Sequence, residues 1–220
     1  MNAIKLVVSD MAGTTVKDSG EVARAFSAAL ADHGIEASPA QINAVRGASK
    51  REAIATLVAP KYGTDAERVE AVYAGFKKHL QRVFTREAEP VAGAVDTFAW
   101  LRERGIKLAL NTGFDRDITT LLIEALGWQN AADAVICGDD VPQGRPAPYM
   151  IFRAMEATGT VDMRHVLNVG DTVSDLQAAR NAAVGVSVGV LSGAHKREQL
   201  AREPHTHLIE SVAALPALWG

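Results

Sequence analysis

The stretch Asp10-Met11-Ala12-Gly13-Thr14-Thr15 directly follows a short apolar run at residues 4–9. Such a run, bounded by turn residues, is typical of a parallel strand buried on both faces. Ligands of open α/β sheets bind beyond the carboxyl ends of these strands, so the pattern places Asp10 at a candidate active site. A carboxylate there can attack phosphorus and form an acyl phosphate, while Gly13 and Thr14 offer a backbone amide and a hydroxyl to phosphoryl oxygens. The alternative is that Asp10 only caps a turn.

Two later segments supply groups that would bind a phosphoryl group. The apolar run 108–110 ends at Asn111-Thr112-Gly113, where the Thr112 hydroxyl and the Gly113 amide suit a phosphoryl oxygen. Gly144-Arg145-Pro146 places a fixed cation just before a helix that we expect to start near Pro148. Arg145 can hold phosphate and offset the charge of Asp10.

A fourth segment supplies candidate metal ligands. The apolar run 166–169 is followed by Asp171 and Asp175, two carboxylates four residues apart. Hard oxygen ligands of this kind suit Mg²⁺, which accepts only a few protein ligands and keeps several waters. The sequence therefore predicts a magnesium site near Asp10.

Together the four segments resemble the haloacid dehalogenase superfamily of phosphohydrolases, over residues 4 to about 191 and in type, order and spacing. The resemblance implies that Asp10 is the nucleophile, and that Asp10, the Ala12 carbonyl and Asp171 hold Mg²⁺. Asp175 would support the metal site from behind its direct ligands. The residues implied in phosphoryl binding are Thr112, Gly113 and Arg145.

Two positions depart from the usual phosphatase pattern. Phosphatases of the superfamily carry a second Asp, an acid and base, two residues after the nucleophile, where this chain has Ala12. The cation before Pro is usually Lys, and here it is Arg145. In both positions the chain resembles the phosphonoacetaldehyde hydrolases, or phosphonatases. The segments 10–16, 138–148 and 170–175 resemble that family as well. In that family a cap lysine forms an imine with the substrate aldehyde, so the cleaved carbon to phosphorus bond releases no alkoxide.

The lysine that matches lies in Val45-Arg46-Gly47-Ala48-Ser49-Lys50-Arg51-Glu52. Lys50 is the candidate imine former and Arg46 a candidate substrate contact. Two other roles remain open for Lys50: a clamp on the substrate phosphate, or a solvated helix residue. An imine-forming lysine must be neutral, which burial or the charges of Arg46 and Arg51 would favour. The family has Met, His and Tyr where this chain has Arg46, Ala53 and Phe114.

Three functions follow as hypotheses. The first is a Mg²⁺-dependent, phosphonatase-like hydrolase of a small phosphonate such as phosphonoacetaldehyde, acting through an aspartyl phosphate at Asp10 and an imine at Lys50. The alternative is a phosphatase of small phosphate monoesters of the phosphoglycolate type, which needs a substitute for the acid missing at Ala12. The third, a phospho-metabolite binding protein without turnover, is disfavoured by the intact set Asp10, Thr112, Arg145 and Asp171.

The order of periodic segments predicts an α/β fold with a doubly wound parallel sheet and an inserted, all-helical cap. Residues 1–17 and 90–220 would form the core and residues 18–89 the cap, with hinges at 17–20 and 88–90. The cap would run as helices from 21 to about 87, and helical spacing marks residues 23–30, 39–45, 50–58 and 66–84 within it. In the core we expect strands at 106–111, 134–137, 165–169 and 185–190, with helices between them.

Composition excludes several classes of protein. The 220 residues carry a net charge of −3, which gives no support for a nucleic-acid partner. We find no basic leader and no run of about eighteen apolar residues, so we expect no membrane span and a cytoplasmic protein. The resemblance also implies a possible homodimer through the cap.

The remaining polar candidates have structural interpretations. We expect Cys137 to lie in a buried strand, His79 on a solvated helix face and His205-Thr206-His207 at a strand edge rather than on a metal. Asp139 and Asp140 would either form the turn before Arg145 or orient that arginine. For Asp140 we favour the turn.

Overall fold

The computed structural model describes residues 4–219 and has six parallel strands in one sheet. The strands are β1 (Leu6–Asp10), β2 (Lys107–Asn111), β3 (Ala134–Ile136), β4 (Val166–Gly170), β5 (Val186–Val190) and β6 (His207–Ile209). Their order across the sheet is β3-β2-β1-β4-β5-β6. The strands all run parallel, and the side on which the chain adds new strands reverses between β1 and β4. Ligands of doubly wound sheets bind at such a reversal. The predicted fold class is confirmed.

Four helices lie between β1 and β2 where the helical insert was predicted: α1 (Glu21–Ala31), α2 (Pro39–Ala44), α3 (Lys50–Tyr62) and α4 (Ala66–Glu87). Helix α5 (Ala94–Glu103) follows them and precedes β2. The later α-helices are α6 (Arg116–Leu126), α7 (Tyr149–Thr158), α8 (Val173–Ala182) and α9 (Arg197–Leu200). Short 3₁₀ helices cover Gly138–Asp140, Met163–His165 and Val212–Trp219. Helix α4 continues three residues past its expected end at 84, and neither α9 nor the last 3₁₀ helix was expected.

Side-chain alternation along β1 divides the interior between the two faces of the sheet. Val7 joins the larger apolar core, which continues into the helices of the insert and includes Phe26 and Phe76, whose ring centroids are 4.5 Å apart. Leu6 and Val8 face a second core. Both faces of the strand are thus buried, which explains why its sequence is a continuous apolar run.

The two segments that connect the insert to the sheet run side by side. Lys17 N–H donates to the Glu89 carbonyl at 2.9 Å, and Val91 N–H donates to the Thr15 carbonyl at 2.9 Å. Their side chains add an exposed ion pair between Lys17 and Glu89, 2.7 Å from nitrogen to oxygen. The division of the chain into a core and a cap at these segments stays a prediction.

Among residues 4–219, no helix has the length and apolar character needed to cross a bilayer.

Candidate active site

Three buried aspartates meet at the carboxyl edge of the sheet. Asp10 ends β1, Asp171 directly follows β4, and Asp175 lies in the first turn of α8. One carboxylate oxygen from each of the three lies within 4.8 Å of the others. Parallel strands end at the same edge, and this is why residues so distant in sequence converge.

Arg145 joins two of these carboxylates. Its Nη1 lies 2.6 Å from Asp10 Oδ1 and also contacts Asp175 Oδ1. The side chain is 3% exposed, and its Nε has no hydrogen-bond partner among the described residues. The guanidinium therefore balances part of the acidic charge and keeps one donor without a protein partner among the described residues.

Both oxygens of Asp175 are engaged within the protein. While Oδ1 contacts Arg145, Oδ2 accepts from the Thr172 N–H at 3.0 Å and from the Thr172 hydroxyl. Together with the bond from Asp175 N–H to the Thr172 hydroxyl, this forms the capping box that starts α8. The geometry suits the supporting role predicted for Asp175, and its assignment to the metal site stays a prediction.

Asp171 is held by loops on both sides. Its Oδ1 accepts from the Thr14 hydroxyl at 3.3 Å, and its Oδ2 accepts from the Ala194 N–H at 2.6 Å. A Cβ atom would lie 2.4 Å from Asp171 Oδ2 if built on Gly13 and 2.0 Å if built on Gly193. Gly13 also has φ +94°, which favours glycine. Both glycines are thus needed for the close approach of backbone to carboxylate.

The loop 192–195 that holds Asp171 was missed in the sequence. Ser192-Gly193 comes one residue after the apolar strand β5, and Thr112-Gly113 comes directly after β2; this similar pattern was the available signal.

Burial raises the pKa of two of the aspartates. It brings the pKa of Asp10 to about 7, although the charge of Arg145 opposes the change. It brings the pKa of Asp171 to about 6, with a further contribution from the charge of Asp175. The negative charge of these carboxylates exceeds the positive charge of the side chains in contact with them, and buried charge without compensation is costly. A hard divalent cation therefore fits this cluster, and Asp10 and Asp171 offer its oxygen ligands.

Thr112 and Gly113 lie beside Asp10, as predicted, because β2 is the neighbour of β1 in the sheet. The Thr112 oxygen accepts from the Phe114 N–H at 3.2 Å, so the hydroxyl proton remains available to donate. The Gly113 carbonyl accepts from the Lys50 N–H at 3.1 Å. A Cβ atom on Gly113 would lie 2.4 Å from the Ala48 carbonyl oxygen, so only glycine allows the insert to approach this closely.

Lys50, the first residue of α3, is buried with 6% exposure. Its Nζ donates to the Ala48 carbonyl at 3.2 Å and lies 5.1 Å from the ring centroid of Phe114. Burial, and secondarily the charge of Arg145, lowers the pKa of Lys50 to about 8. The interpretation of Lys50 as a solvated helix residue is therefore wrong.

Arg46 lines the same cavity, and its guanidinium forms an ion pair with Asp18. The other oxygen of Asp18 accepts from the Gly20 N–H at 3.0 Å and from the Val22 N–H at 3.3 Å at the start of α1. Arg46 thus fixes the loop before Lys50 to the first connecting segment. The pairing with Asp18 was not predicted.

The cavity between insert and sheet has a volume of about 20 Å³. It is lined by Asp10, Ala12, Val22, Arg46, Gly47, Lys50, Thr112, Gly113, Phe114, Arg145, Asp171 and Thr172. A volume near 20 Å³ has room for about one water molecule. This space is smaller than a phosphoryl group needs. The Ala12 position brings no proton donor into the cavity.

Neither aspartate of the turn before Arg145 contacts that arginine. Asp139 accepts from the Arg116 N–H at 2.9 Å, and Asp140 accepts from the Cys137 N–H at 2.7 Å while pairing with the Arg116 guanidinium. The idea that they orient Arg145 is wrong, and the structural interpretation of Asp140 is confirmed.

The other polar candidates do not line this cavity. Cys137 is buried directly after β3, and burial raises the pKa of its thiol to about 11. His207 begins the edge strand β6, and within residues 4–219 neither it nor His205 belongs to a potential metal cluster. His79 is only partly exposed, and its Nε2 lies 3.2 Å from Asp32.

Residues 4–183 match the model of the haloacid dehalogenase-like hydrolases. The chain belongs to this family. As a haloacid dehalogenase-like hydrolase, it is 32% identical over 204 residues to a phosphonoacetaldehyde hydrolase from Bacillus cereus, covering 86% of this chain and 76% of the relative.

Solved structures of similar proteins share the fold. A hydrolase from Pseudomonas syringae has a TM-score of 0.88 at 24% identity, over 97% of both chains. A phosphonoacetaldehyde hydrolase-like protein from Oleispira antarctica has a TM-score of 0.86 at 22% identity, over 98% of this chain and 91% of the other. A protein described as a predicted phosphoglycolate phosphatase from Haemophilus somnus has a TM-score of 0.84 at 20% identity, over the full length of both chains.

Proposed function

We propose that this hydrolase cleaves the carbon to phosphorus bond of a small phosphonate such as phosphonoacetaldehyde, with Mg²⁺ as cofactor. The observation that carries the proposal is Lys50, an amine buried at the mouth of the site with its pKa lowered to about 8. At that pKa about one lysine in ten is neutral at pH 7, enough to attack an aldehyde. The relative from Bacillus cereus, which bears the name of this activity, supports it.

The first chemical step forms a covalent bond to Lys50. Its neutral amine adds to the aldehyde carbon and water leaves, which gives an imine that is then protonated. Burial against Phe114 keeps bulk water away from this bond, because the ring covers one side of the amine.

The second step transfers the phosphoryl group. A carboxylate oxygen of Asp10 attacks phosphorus, and the electrons of the breaking carbon to phosphorus bond move into the iminium to give an enamine. No alkoxide forms, so this transfer step needs no acid at the position of Ala12. Water then releases phosphate from Asp10, while protonation and hydrolysis of the enamine release acetaldehyde and free Lys50.

The surrounding residues hold the phosphoryl oxygens during transfer. Arg145 has a donor without a protein partner, and Thr112 keeps its hydroxyl proton. Both lie beside the nucleophile and stabilise negative charge in the transition state. Mg²⁺ bound by Asp10, the Ala12 carbonyl and Asp171 would neutralise phosphoryl charge and reduce its repulsion of the nucleophile.

A phosphate monoesterase of the phosphoglycolate type is the second candidate. It is favoured by the protonated form of Lys50, which about nine tenths of the molecules carry at pH 7 and which faces the site where an acid is otherwise missing. In this role the ammonium protonates the leaving alkoxide or clamps the substrate.

Incubation with phosphonoacetaldehyde and Mg²⁺ tests the proposal. We expect phosphate release and, with borohydride, a reduced adduct on Lys50 located by mass spectrometry. Lys50→Arg is the matched variant, because it keeps the cation and cannot form the imine. We expect it to lose at least about a thousandfold in phosphonate turnover. Phosphate release only from phosphate monoesters, with no adduct, would replace the proposal by the second candidate.

A further inference from the structure

His195 lies where the insert meets the sheet, outside the residues that the reaction uses. It belongs to the loop 192–195, its side chain is buried, and each ring nitrogen has one partner. Nδ1 lies 2.9 Å from Val173 N, and Nε2 lies 3.2 Å from the Asn43 carbonyl oxygen. The first partner belongs to α8 in the sheet region and the second to α2 in the insert.

These partners fix the tautomer of the ring. A backbone N–H can only donate and a carbonyl oxygen can only accept, so Nδ1 is the acceptor and Nε2 carries the proton. Burial lowers the pKa of His195, which agrees with a neutral ring. Val173 is the first residue of α8, whose N–H has no acceptor within its own helix. One ring thus completes a helix start and binds the insert.

The same loop holds the candidate metal ligand. Ala194 N–H donates to Asp171 Oδ2 at 2.6 Å, and His195 N–H donates to the Asp171 carbonyl at 3.3 Å. Ser192 also donates to the Gly13 carbonyl at 2.8 Å, beside the nucleophile. A single loop therefore contacts the turn after Asp10, the Asp171 carboxylate and the insert.

The segment that His195 binds leads directly to Lys50. From Asn43, seven residues before Lys50, the chain packs against the groups at the carboxyl edge of the sheet. The Ser174 hydroxyl donates to the Arg46 carbonyl at 3.4 Å, and the Lys50 N–H donates to the Gly113 carbonyl at 3.1 Å. A Cβ atom on Gly47 would lie 2.2 Å from Thr172 Oγ1, so the contact is close along this length.

We infer that His195 is a positioning residue, which docks the 43–50 segment of the insert on the loop that holds Asp171 and so places Lys50 over Asp10. The bond from Nε2 to Asn43 does this work, and the bond from Val173 serves the fold of the sheet region alone. Only the kinetic part of the inference rests on the proposed function.

Two conservative substitutions separate the bonds. The Asn amide places an acceptor where Nδ1 lies, so His195→Asn keeps the bond from Val173 and loses Asn43. The Gln amide places a donor where Nε2 lies, so His195→Gln keeps Asn43 and loses the bond from Val173. Both variants retain one native hydrogen bond, which makes them more suitable than His195→Ala, whose effect on folding would mask the result.

The primary readout is the accessibility of Lys50, which needs no substrate. Pulse acetylation and mass spectrometry report its modification, with the exposed Lys78 as internal reference. We expect His195→Asn to raise Lys50 labelling about three- to tenfold, which corresponds to the loss of one hydrogen bond that keeps the 43–50 segment docked. We expect the Lys50 labelling of His195→Gln to remain near that of wild type. Equal labelling in both variants, or an increase only in His195→Gln, would overturn the inference.

Kinetics then links the position of Lys50 to catalysis. With phosphonoacetaldehyde we expect His195→Asn to lower kcat by about the factor by which it raises labelling, while the Mg²⁺ activation constant is unchanged. We expect His195→Gln to keep a kcat near that of wild type. If wild type does not turn over this substrate, the proposed function fails while the labelling result still decides the role of His195. If labelling changes and kcat of an active enzyme does not, His195 docks the insert without positioning Lys50, and the inference is overturned.

Discussion

The buried carboxyl group of Asp10 gives a test of the site that needs no substrate. Burial, aided by the charges of Asp175 and Asp171 and opposed by Arg145, raises its pKa from 3.8 to about 7. The folded protein therefore holds this proton more tightly than the unfolded chain does. The stability that depends on it is fully present below pH 3.8, falls steadily as the pH rises from 3.8 to about 7, and is lost above pH 7.

Asp10→Asn removes this titration and keeps a side chain of similar size. A pKa that moves from 3.8 to about 7 corresponds to roughly 4 kcal/mol of unfolding free energy. We therefore expect the metal-free variant to be more stable than wild type by on the order of 4 kcal/mol at pH 8, and by roughly 1–2 kcal/mol at pH 5.

Urea unfolding in EDTA at pH 5 and pH 8 measures both gaps. Asp96→Asn is the control, because Asp96 is exposed on α5 and we expect its replacement to change stability by less than about 0.5 kcal/mol at either pH. Added Mg²⁺ should stabilise wild type more than Asp10→Asn and narrow the gap at pH 8. A gap of the same size at both pH values, or a variant less stable than wild type at pH 8, would refute the reasoning.

Three further substitutions have expected outcomes. Gly193→Ala places a Cβ atom 2.0 Å from Asp171 Oδ2, so we expect a loss of about 1–3 kcal/mol and a weaker Mg²⁺ response in a thermal-shift titration; an unchanged response would contradict the tight approach. Gly75→Ala in α4 meets only Ala29, at 3.7 Å, and should stabilise the protein by about 0.5–1 kcal/mol in urea unfolding, whereas a loss would show that the helices are closer. Ala12→Asp supplies the missing acid and should raise phosphate monoester hydrolysis about 10–100-fold relative to phosphonate cleavage, and a constant ratio of the two rates would count against that role.

The sequence predicted the strands and the residues at their ends because that information is local. An apolar run that stops at Asp10, Thr112 or Asp171 marks both a buried strand and the polar group after it. Once the strands are known to be parallel, their carboxyl ends must share an edge. The boundaries then differ from the expected ones by only one or two residues, as at β1, which was expected over 4–9 and covers Leu6–Asp10.

What the sequence did not predict depends on contacts between distant segments. The burial of Lys50 arises because Gly113 lets the insert approach the sheet, and no periodicity in α3 reports it. The pairing of Arg46 with Asp18 requires the loop before α3 to lie over the first connecting segment. His195 has an unremarkable neighbourhood in sequence, and its two ring partners lie in helices distant from it along the chain.

The paired connecting segments bear on how such a protein can change over evolution. Because the chain leaves the sheet near Lys17 and returns near Glu89 at hydrogen-bonding distance, the covalent connections of the helices between them lie side by side. An insertion, deletion or exchange within them leaves the register of β1 and β2 untouched. The residues at the carboxyl edge of the sheet can stay fixed while new sequences are tried in the insert, so a lineage can broaden its chemistry without rebuilding its scaffold.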